Sequence, residues 1–201
     1  MIKSVIFDLG NVLISFRPSD YLIKQKYPEK IRNTILTDIF GGPEWKLLDN
    51  GNITTGEAID MITGRSTLKR EEIAFIFTKR TEIIYPLEKN VRLLPELKKQ
   101  GLRLYFLSNF PIDIFDEVKN GYYFFKNFNG GIISAEVRYS KPDRKIYELL
   151  LKKYKLVAEE CLYIDDISTN TKTAEDLGMK VLFTAGSDDF SPELARLLNH
   201  H

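Results

Sequence analysis

Cysteine and histidine are nearly absent from this chain of 201 residues. The one cysteine is Cys161, and the two histidines, His200 and His201, are the last two residues and are typical of a purification tag. These counts exclude an internal disulfide, a multi-cysteine zinc site and a catalytic triad that needs an internal histidine. We therefore expect a reducing, cytoplasmic location and a chemistry that uses carboxylates, hydroxyls, amides and amino groups.

An excess of one charge and a long apolar run are also missing. The 29 Lys and Arg residues nearly balance the 28 Asp and Glu residues, so the formal net charge is +1, which predicts neither a nucleic acid nor a membrane as partner. The apolar stretch that ends at Leu9 is too short for a signal sequence, and no run approaches the roughly 20 residues of a membrane span. The composition is that of an ordinary globular protein.

Five short runs rich in Val, Ile, Phe and Tyr predict buried strands, at residues 4–9, 102–108, 132–135, 161–165 and 181–184. They are apolar throughout, as expected for parallel strands covered on both faces. Helical patterns lie between them: one ends at Gly101, one opens at Pro142, one runs over residues 168–178, and the last has Ser191 as its N-cap. The alternation predicts an α/β protein with a doubly wound, mainly parallel, Rossmann-like sheet.

One region interrupts this alternation. Residues 17–85 show only helical patterns, at 21–26, at 31–40, from Thr54 with Glu57 as a capping box, and at 68–84. The sheet is expected to resume near Lys89. We therefore predict a core of residues 1–16 and 86–201, and a helical insertion of residues 17–85 that acts as a lid or substrate domain.

Polar residues end the predicted strands or lie close to them: Asp8, Ser108, Asn109, Lys141, Asp165 and Asp166. Ligands of open α/β sheets bind at the carboxyl ends of the strands, so these residues are expected to meet there. Clustered carboxylates need a cation, and ligation by oxygen alone indicates Mg²⁺. A hydroxyl and an ammonium beside Mg²⁺ would bind phosphate, and an aspartate there could attack phosphorus and form an aspartyl phosphate.

The segments 7–13, 107–109, 140–143 and 163–166 resemble, in order and spacing, the four motifs of the haloacid dehalogenase-like hydrolase superfamily. The first motif, which reads DLGNV from Asp8, and the insertion after it are similar to the group of bacterial glucose-1-phosphate phosphatases and the N-terminal phosphatase domain of soluble epoxide hydrolase. Four weak motifs in order and in strand context are a specific signal. The resemblance implies that residues 17–85 are the helical C1 cap of that group.

The resemblance also implies roles for individual residues. Asp8 would be the nucleophile, Ser108 would bind the phosphoryl group, and Lys141 would hold both that group and Asp8. Asn109 would face the substrate.

The same resemblance implies a metal site. Asp8 and the backbone carbonyl of Gly10 would be Mg²⁺ ligands. Asp166, supported by Asp165, would complete the site.

Gly10 departs from the family pattern, which usually has an aspartate there as general acid and base. Such help is typically worth 10² to 10⁴ fold in rate, so its absence favours substrates with good leaving groups. We predict a Mg²⁺-dependent phosphomonoester hydrolase for a small metabolite such as a sugar phosphate, with anomeric or aryl esters preferred to simple alkyl ones. A phosphomutase is disfavoured, because it must move protons at two sugar hydroxyls.

The sequence leaves three rival functions to compare with this prediction. A binding or regulatory protein that has lost turnover is the main alternative, because of Gly10. A 2-haloacid dehalogenase is disfavoured by the acidic fourth motif, Asp165 and Asp166, and by Asp38, Ile39 and Phe40 in the region where those enzymes have an arginine. A phospho-accepting receiver is contradicted by the order of the acidic residues along the chain.

Other features have two interpretations. Trp45 could stack on a sugar or pack within the lid. The aromatic run 122–125 could form a homodimer contact or part of the core. Arg17 could reach the substrate or lie on the surface.

Overall fold

A five-stranded parallel sheet forms the centre of the computed structural model, which describes residues 1–184 and 189–199. The order of its strands is β5-β4-β1-β6-β7. The strands of both sheets are β1 (Ser4–Phe7), β2 (Ile14–Phe16), β3 (Ile84–Pro86), β4 (Arg103–Ser108), β5 (Gly130–Ile133), β6 (Cys161–Asp165) and β7 (Lys180–Phe183). All five strands predicted from the sequence are confirmed, with bounds that differ by at most two residues. His200 and His201 lie outside the described residues.

Two separate apolar cores cover the two faces of this sheet. Val5 and Phe7 belong to one core, and Ile6, between them, belongs to the other together with Tyr163. Successive residues of a strand point to opposite faces, so a strand that is apolar throughout is buried on both sides. The predicted α/β class and Rossmann-like sheet are confirmed.

The helices after the insertion are α7 (Glu88–Val91), α8 (Leu93–Lys99), α9 (Ile112–Gly121), α10 (Ser134–Val137), α11 (Arg144–Tyr154), α12 (Ser168–Asp176) and α13 (Ser191–Asn199). α11 begins at Arg144, two residues after the predicted start at Pro142, because Asp143 is its N-cap and accepts a hydrogen bond from the Lys145 amide. The sheet does not resume near Lys89, where α7 lies, but at Arg103.

The insertion, called the cap below, contains the helices α1 (Pro18–Lys24), α2 (Glu29–Ile35), α3 (Pro43–Asp49), α4 (Thr55–Thr63), α5 (Arg70–Thr78) and α6 (Arg80–Ile83). A turn of π-helix, Leu36–Phe40, extends α2 as the sequence predicted. The predicted capping box of α4 is confirmed: the Thr54 hydroxyl accepts from the Glu57 amide, and the Glu57 carboxylate accepts from the Thr54 amide.

The sequence prediction missed three elements around the cap. β2 and β3 pair antiparallel, Ile14 with Pro86 and Phe16 with Ile84, and so close the base of the cap. Strands of three residues are too short to show a period of two, and β3 ends a stretch that had been predicted as helix. The third missed element is α3, which follows two glycines and a proline that indicated a loop.

No helix in the described part of the chain has the length and apolar character that crossing a membrane requires.

Candidate active site

The carboxyl edge of the sheet gathers the polar residues that the sequence predicted. Asp8 follows β1, Ser108 ends β4, and Asp165 ends β6. Parallel strands end at the same edge, so residues that are far apart in sequence meet there. Lys141, between α10 and α11, reaches this edge from the loop that follows β5.

Three donors hold the Asp8 carboxylate. Its Oδ1 accepts from the Leu9 amide at 2.7 Å and from Ser108 Oγ at 2.8 Å, and it lies 2.9 Å from Lys141 Nζ. Burial raises the pKa of Asp8 to about 6, and the Lys141 ammonium opposes that rise. Ser108 and Lys141 thus orient the carboxylate and favour its charged form, while burial and the charge of Asp165 oppose it.

The Lys141 ammonium lies between two buried carboxylates. Its Nζ is 2.9 Å from Asp8 Oδ1 and 2.7 Å from Asp165 Oδ2, and its side chain is only 2% exposed. Burial alone would lower the pKa of Lys141, but the charges of Asp8 and Asp165 outweigh it and the net pKa is raised. Lys141 is therefore a fixed positive charge at the site.

Asp165 is saturated with donors. Its Oδ1 accepts from the Ile167 amide at 2.8 Å and from Asn170 Nδ2 at 3.0 Å. Its Oδ2 accepts from Lys141 Nζ at 2.7 Å and also from the Tyr163 hydroxyl. This set of bonds holds Asp165 in place and lets it orient Lys141.

Asp166 completes a group of three carboxylates. Asp8, Asp165 and Asp166 each offer one oxygen, and these oxygens lie within 4.8 Å of one another. Burial first, and then the charge of Asp165, raise the pKa of Asp166. One ammonium faces this group, so it retains excess negative charge that a divalent cation would neutralise.

Asn109 is tied to the backbone of Lys141. Its Nδ2 donates to the Lys141 carbonyl at 3.0 Å, and its Oδ1 accepts from the Lys141 amide at 2.8 Å. The side chain lines the cleft, yet both of its polar atoms are engaged by the backbone. Asn109 therefore fixes the loop that presents Lys141.

An open cleft lies between this charged edge and the cap. Apart from Asp49 of the cap, the wall and rim are mostly apolar and include Ile14, Phe16, Trp45, Ile84, Phe110 and Ile114. Trp45 packs within the cap, with its ring 5.4 Å from that of Phe16 and 6.1 Å from that of Phe77, and it also lines the cleft. The cleft thus has a charged floor and an apolar wall.

The apolar wall continues into the cap. Phe16, Trp45, Ile84 and Ile114 also line a second, smaller hollow whose other walls are apolar side chains of the cap, with Arg80 at its margin.

A family model of haloacid dehalogenase-like hydrolases matches residues 2–178. The chain belongs to the haloacid dehalogenase-like (HAD) hydrolases. The resemblance stated from the four motifs is therefore confirmed, and the protein is an enzyme of this hydrolase class.

Individual relatives agree with this assignment. The HAD hydrolase is 29% identical over 196 residues to a sesquiterpene phosphatase of Aspergillus oryzae, with 98% of this chain and 96% of that protein covered. A HAD family enzyme of Bacteroides thetaiotaomicron, solved with magnesium and inorganic phosphate, has a TM-score of 0.74 at 22% identity over 96% of this chain and 99% of that chain. An L-2-haloacid dehalogenase of Xanthobacter autotrophicus has a TM-score of 0.71 at 20% identity over 98% of this chain and 83% of that chain. The two structures show the shared fold.

The loop after β1 brings Gly10 to the cleft of this HAD hydrolase. Asn11 adopts a positive φ of 53°, which asparagine tolerates, and its Oδ1 accepts from the Phe16 amide at 3.1 Å. A Cβ added at Gly10 would meet no atom within 4 Å. Gly10 itself offers only its backbone to the site.

The sequence analysis missed two residues of the HAD hydrolase site. Asn170, in the first turn of α12, donates a hydrogen bond to Asp165. The only signal for it in the sequence was its place five residues after an aspartate that ends a strand. Asp49 lines the cleft from the end of α3. Followed by Asn50 and Gly51, Asp49 has the sequence of a turn, and nothing in its spacing indicated a site.

Proposed function

We propose that this HAD hydrolase is a Mg²⁺-dependent phosphomonoesterase that works through an aspartyl phosphate on Asp8. The observation that supports this most is the buried Asp8 carboxylate, held by Ser108 and Lys141 at the floor of a cleft and beside two further carboxylates. The similarity to a sesquiterpene phosphatase over nearly the whole of both chains favours the same reaction class.

The donor set fits the proposed Mg²⁺. Asp8, Asp166 and the Gly10 carbonyl would hold the ion, and oxygen is the donor that Mg²⁺ prefers. Asp165 would orient Lys141, since donors already surround both of its oxygens. When bound, the ion would offset the charge of the phosphoryl group.

Each side chain at the floor of the cleft has its own role in the proposed reaction. An oxygen of Asp8 forms a bond to phosphorus, while the ester bond from phosphorus to the leaving oxygen breaks and that oxygen takes the electron pair. Ser108 and Lys141 donate to the phosphoryl oxygens as charge moves onto them. Water then attacks the same phosphorus and the bond from phosphorus to Asp8 breaks, which regenerates the Asp8 carboxylate and releases inorganic phosphate.

The apolar wall of the cleft favours a substrate with an apolar alcohol, such as an isoprenyl or aryl phosphate. A sugar needs hydrogen-bond partners for its hydroxyls, and the cap side of the cleft offers Asp49 but mostly carbon. The Aspergillus relative, a sesquiterpene phosphatase, points the same way. The sugar phosphate of the sequence analysis remains a prediction, tested by the same panel.

The division into a core of residues 1–16 and 86–201 and a cap of residues 17–85 belongs to this proposal. The β2–β3 pair at the base of the cap supports this division, because the segment that enters the cap and the segment that leaves it are paired there. The assignment to the C1-cap group, the cytoplasmic location and a homodimer are further predictions.

The experiment is phosphate release from farnesyl phosphate, phenyl phosphate, p-nitrophenyl phosphate, glucose 1- and 6-phosphate, a nucleoside monophosphate and glycerol phosphate. We expect release that requires Mg²⁺, that Asp8→Asn reduces to the rate without enzyme, and that has a higher kcat/KM for the isoprenyl and aryl esters. Asp60→Asn, at an exposed cap carboxylate that pairs with Arg70, is the matched control.

If the folded wild-type enzyme releases phosphate from none of these esters, the proposal is contradicted and a binding protein is favoured. Release that persists in Asp8→Asn would contradict the role of Asp8. A preference for the sugar esters would overturn the apolar substrate class alone.

A further inference from the structure

Expulsion of an alkoxide or an unsubstituted phenoxide needs a proton donor near the leaving oxygen. Four described residues with titratable side chains line the cleft: Asp8, Asp49, Lys141 and Asp166. Under the proposed function, on which this inference rests, Asp8 is the nucleophile, Asp166 faces the metal, and Lys141 is bound to two carboxylates. Asp49 is the one of the four without a task.

Asp49 lines the cleft from the cap. It is the last residue of α3, in the cap, and its carboxylate lies close enough to Asp8 and Lys141 for their charges to act on it. Among the described residues, no hydrogen bond or ion pair engages that carboxylate. Asp49 is half-buried and lines the cleft, so its unengaged carboxylate is available to a ligand.

The core holds the backbone of Asp49 in place. Ser134 Oγ donates to the Asp49 carbonyl, and Ser140 Oγ donates to the side-chain oxygen of the next residue, Asn50. Ser140 precedes Lys141, so the same loop positions both groups. A proton donor has to be held within hydrogen-bond reach of its acceptor, and these anchors supply that restraint.

We propose that Asp49 is the general acid for the leaving group, and then the general base for the attacking water. As the bond from phosphorus to the leaving oxygen breaks, the Asp49 carboxyl gives its proton to that oxygen, and the alcohol departs neutral. The resulting Asp49 carboxylate then takes a proton from water as the water oxygen bonds to phosphorus and the bond to Asp8 breaks. The acid form is thereby restored, and no other reactant is needed.

The electrostatics around Asp49 agree with this role. Burial first, and then the charge of Asp8, raise its pKa to about 7, while Lys141 opposes the rise. A general acid works best when its pKa is near the working pH. The rate with a poor leaving group should therefore fall as the pH rises through about 7, where Asp49 loses its proton.

The test compares Asp49→Asn with wild type on two esters of similar shape, phenyl phosphate and p-nitrophenyl phosphate. Nitrophenolate leaves readily without a proton, whereas phenolate does not. We expect kcat/KM for phenyl phosphate to fall by about 10² to 10⁴ fold, and that for p-nitrophenyl phosphate by less than about tenfold. Asp49→Asn should also lose the decline at high pH, and should show a burst of nitrophenol because hydrolysis of the aspartyl phosphate is slowed.

The second part of the test is rescue of the activity that Asp49→Asn loses. The open space beside Gly10, on the same cleft, allows Gly10→Asp to place a carboxyl there. We expect Gly10→Asp to restore phenyl phosphate turnover in the Asp49→Asn background. Asp60→Asn is the control for a cap carboxylate that does not line the cleft.

Equal losses on both esters, or none on either, would overturn the role of Asp49. Those results differ from a failure of the proposed function, in which wild type releases no phosphate or Asp8→Asn is as active as wild type.

Discussion

Lys141 is the residue on which the charge balance of the site depends. Its ammonium is buried between Asp8 and Asp165, within 2.9 Å and 2.7 Å of their oxygens. Removing one partner of a buried ion pair leaves an uncompensated charge, which costs about 3–5 kcal/mol, whereas an exposed pair contributes about 0–1 kcal/mol. The chain contains a natural comparison in Lys172, which is exposed and also contacts two carboxylates.

We predict that Lys141→Met lowers the free energy of unfolding by about 3 kcal/mol and abolishes phosphate release. Lys172→Met should change the free energy by less than about 1 kcal/mol and leave release unchanged. Urea unfolding at pH 7 without added metal measures the free energy of unfolding of the two variants, and the phosphate-release assay measures their activity. Equal losses of stability in the two variants would show that the buried ammonium has no special role.

Most residues of the site were predictable because the ends of buried strands can be located in the sequence. Asp8, Ser108 and Asp165 end or follow apolar runs that are unambiguous in the sequence, and parallel strands bring their ends together. Asp49 was not predictable, because α3 follows Gly41, Gly42 and Pro43, which suggest a loop. Its position in the cleft depends on tertiary contacts with the core that no local pattern encodes.

At the scale of elements, the end of α3 is joined to the segment after β5. Gly51 has a φ of +63°, and a Cβ at this position would lie 2.5 Å from the Ala135 carbonyl oxygen. Glycine is therefore required twice, for its backbone conformation and for the close approach. Gly101 also has a positive φ, of +83°, but a Cβ there would meet no atom within 4 Å.

Comparing these two glycines separates the cost of the close approach to Ala135 from the cost of the backbone strain. We predict that Gly101→Ala costs about 1 kcal/mol, from the positive φ alone. Gly51→Ala should cost about 2–4 kcal/mol, because the overlap with Ala135 adds to the same strain, and it should slow phenyl phosphate release by moving Asp49. Urea unfolding and phosphate release measure the two effects. A cost for Gly51→Ala no greater than that for Gly101→Ala would contradict a tight junction.

The main elements were predictable in proportion to their length and periodicity. The buried strands and α12 were recognised from apolar runs and from helix signals at both ends. β2 and β3 were missed because three residues show no period, and the predicted helix 68–84 is broken at Lys79, between α5 and α6. Pairing between β2 and β3, which are distant in the sequence, decided the structure of these two segments.

At the scale of the whole molecule, the apolar core on one face of the sheet is continuous with the interior of the cap. Val5 and Phe7 of the sheet belong to the same cluster as Ile62 and Ile73 of the cap. The cap therefore packs on the sheet through carbon, while the carboxyl edge beside it holds the charges. A phosphate ester of an apolar alcohol has the same two-part character, with a charged head for the floor and an apolar body for the wall.

The central claim is that Asp8 becomes covalently phosphorylated during turnover. The most direct measurement is mass spectrometry of enzyme quenched with acid during turnover of phenyl phosphate with Mg²⁺, followed by digestion. We predict one added phosphoryl group on the peptide that contains Asp8, and none in Asp8→Asn. A phosphoryl group on another residue, or phosphate release by Asp8→Asn at the wild-type rate, would contradict the claim.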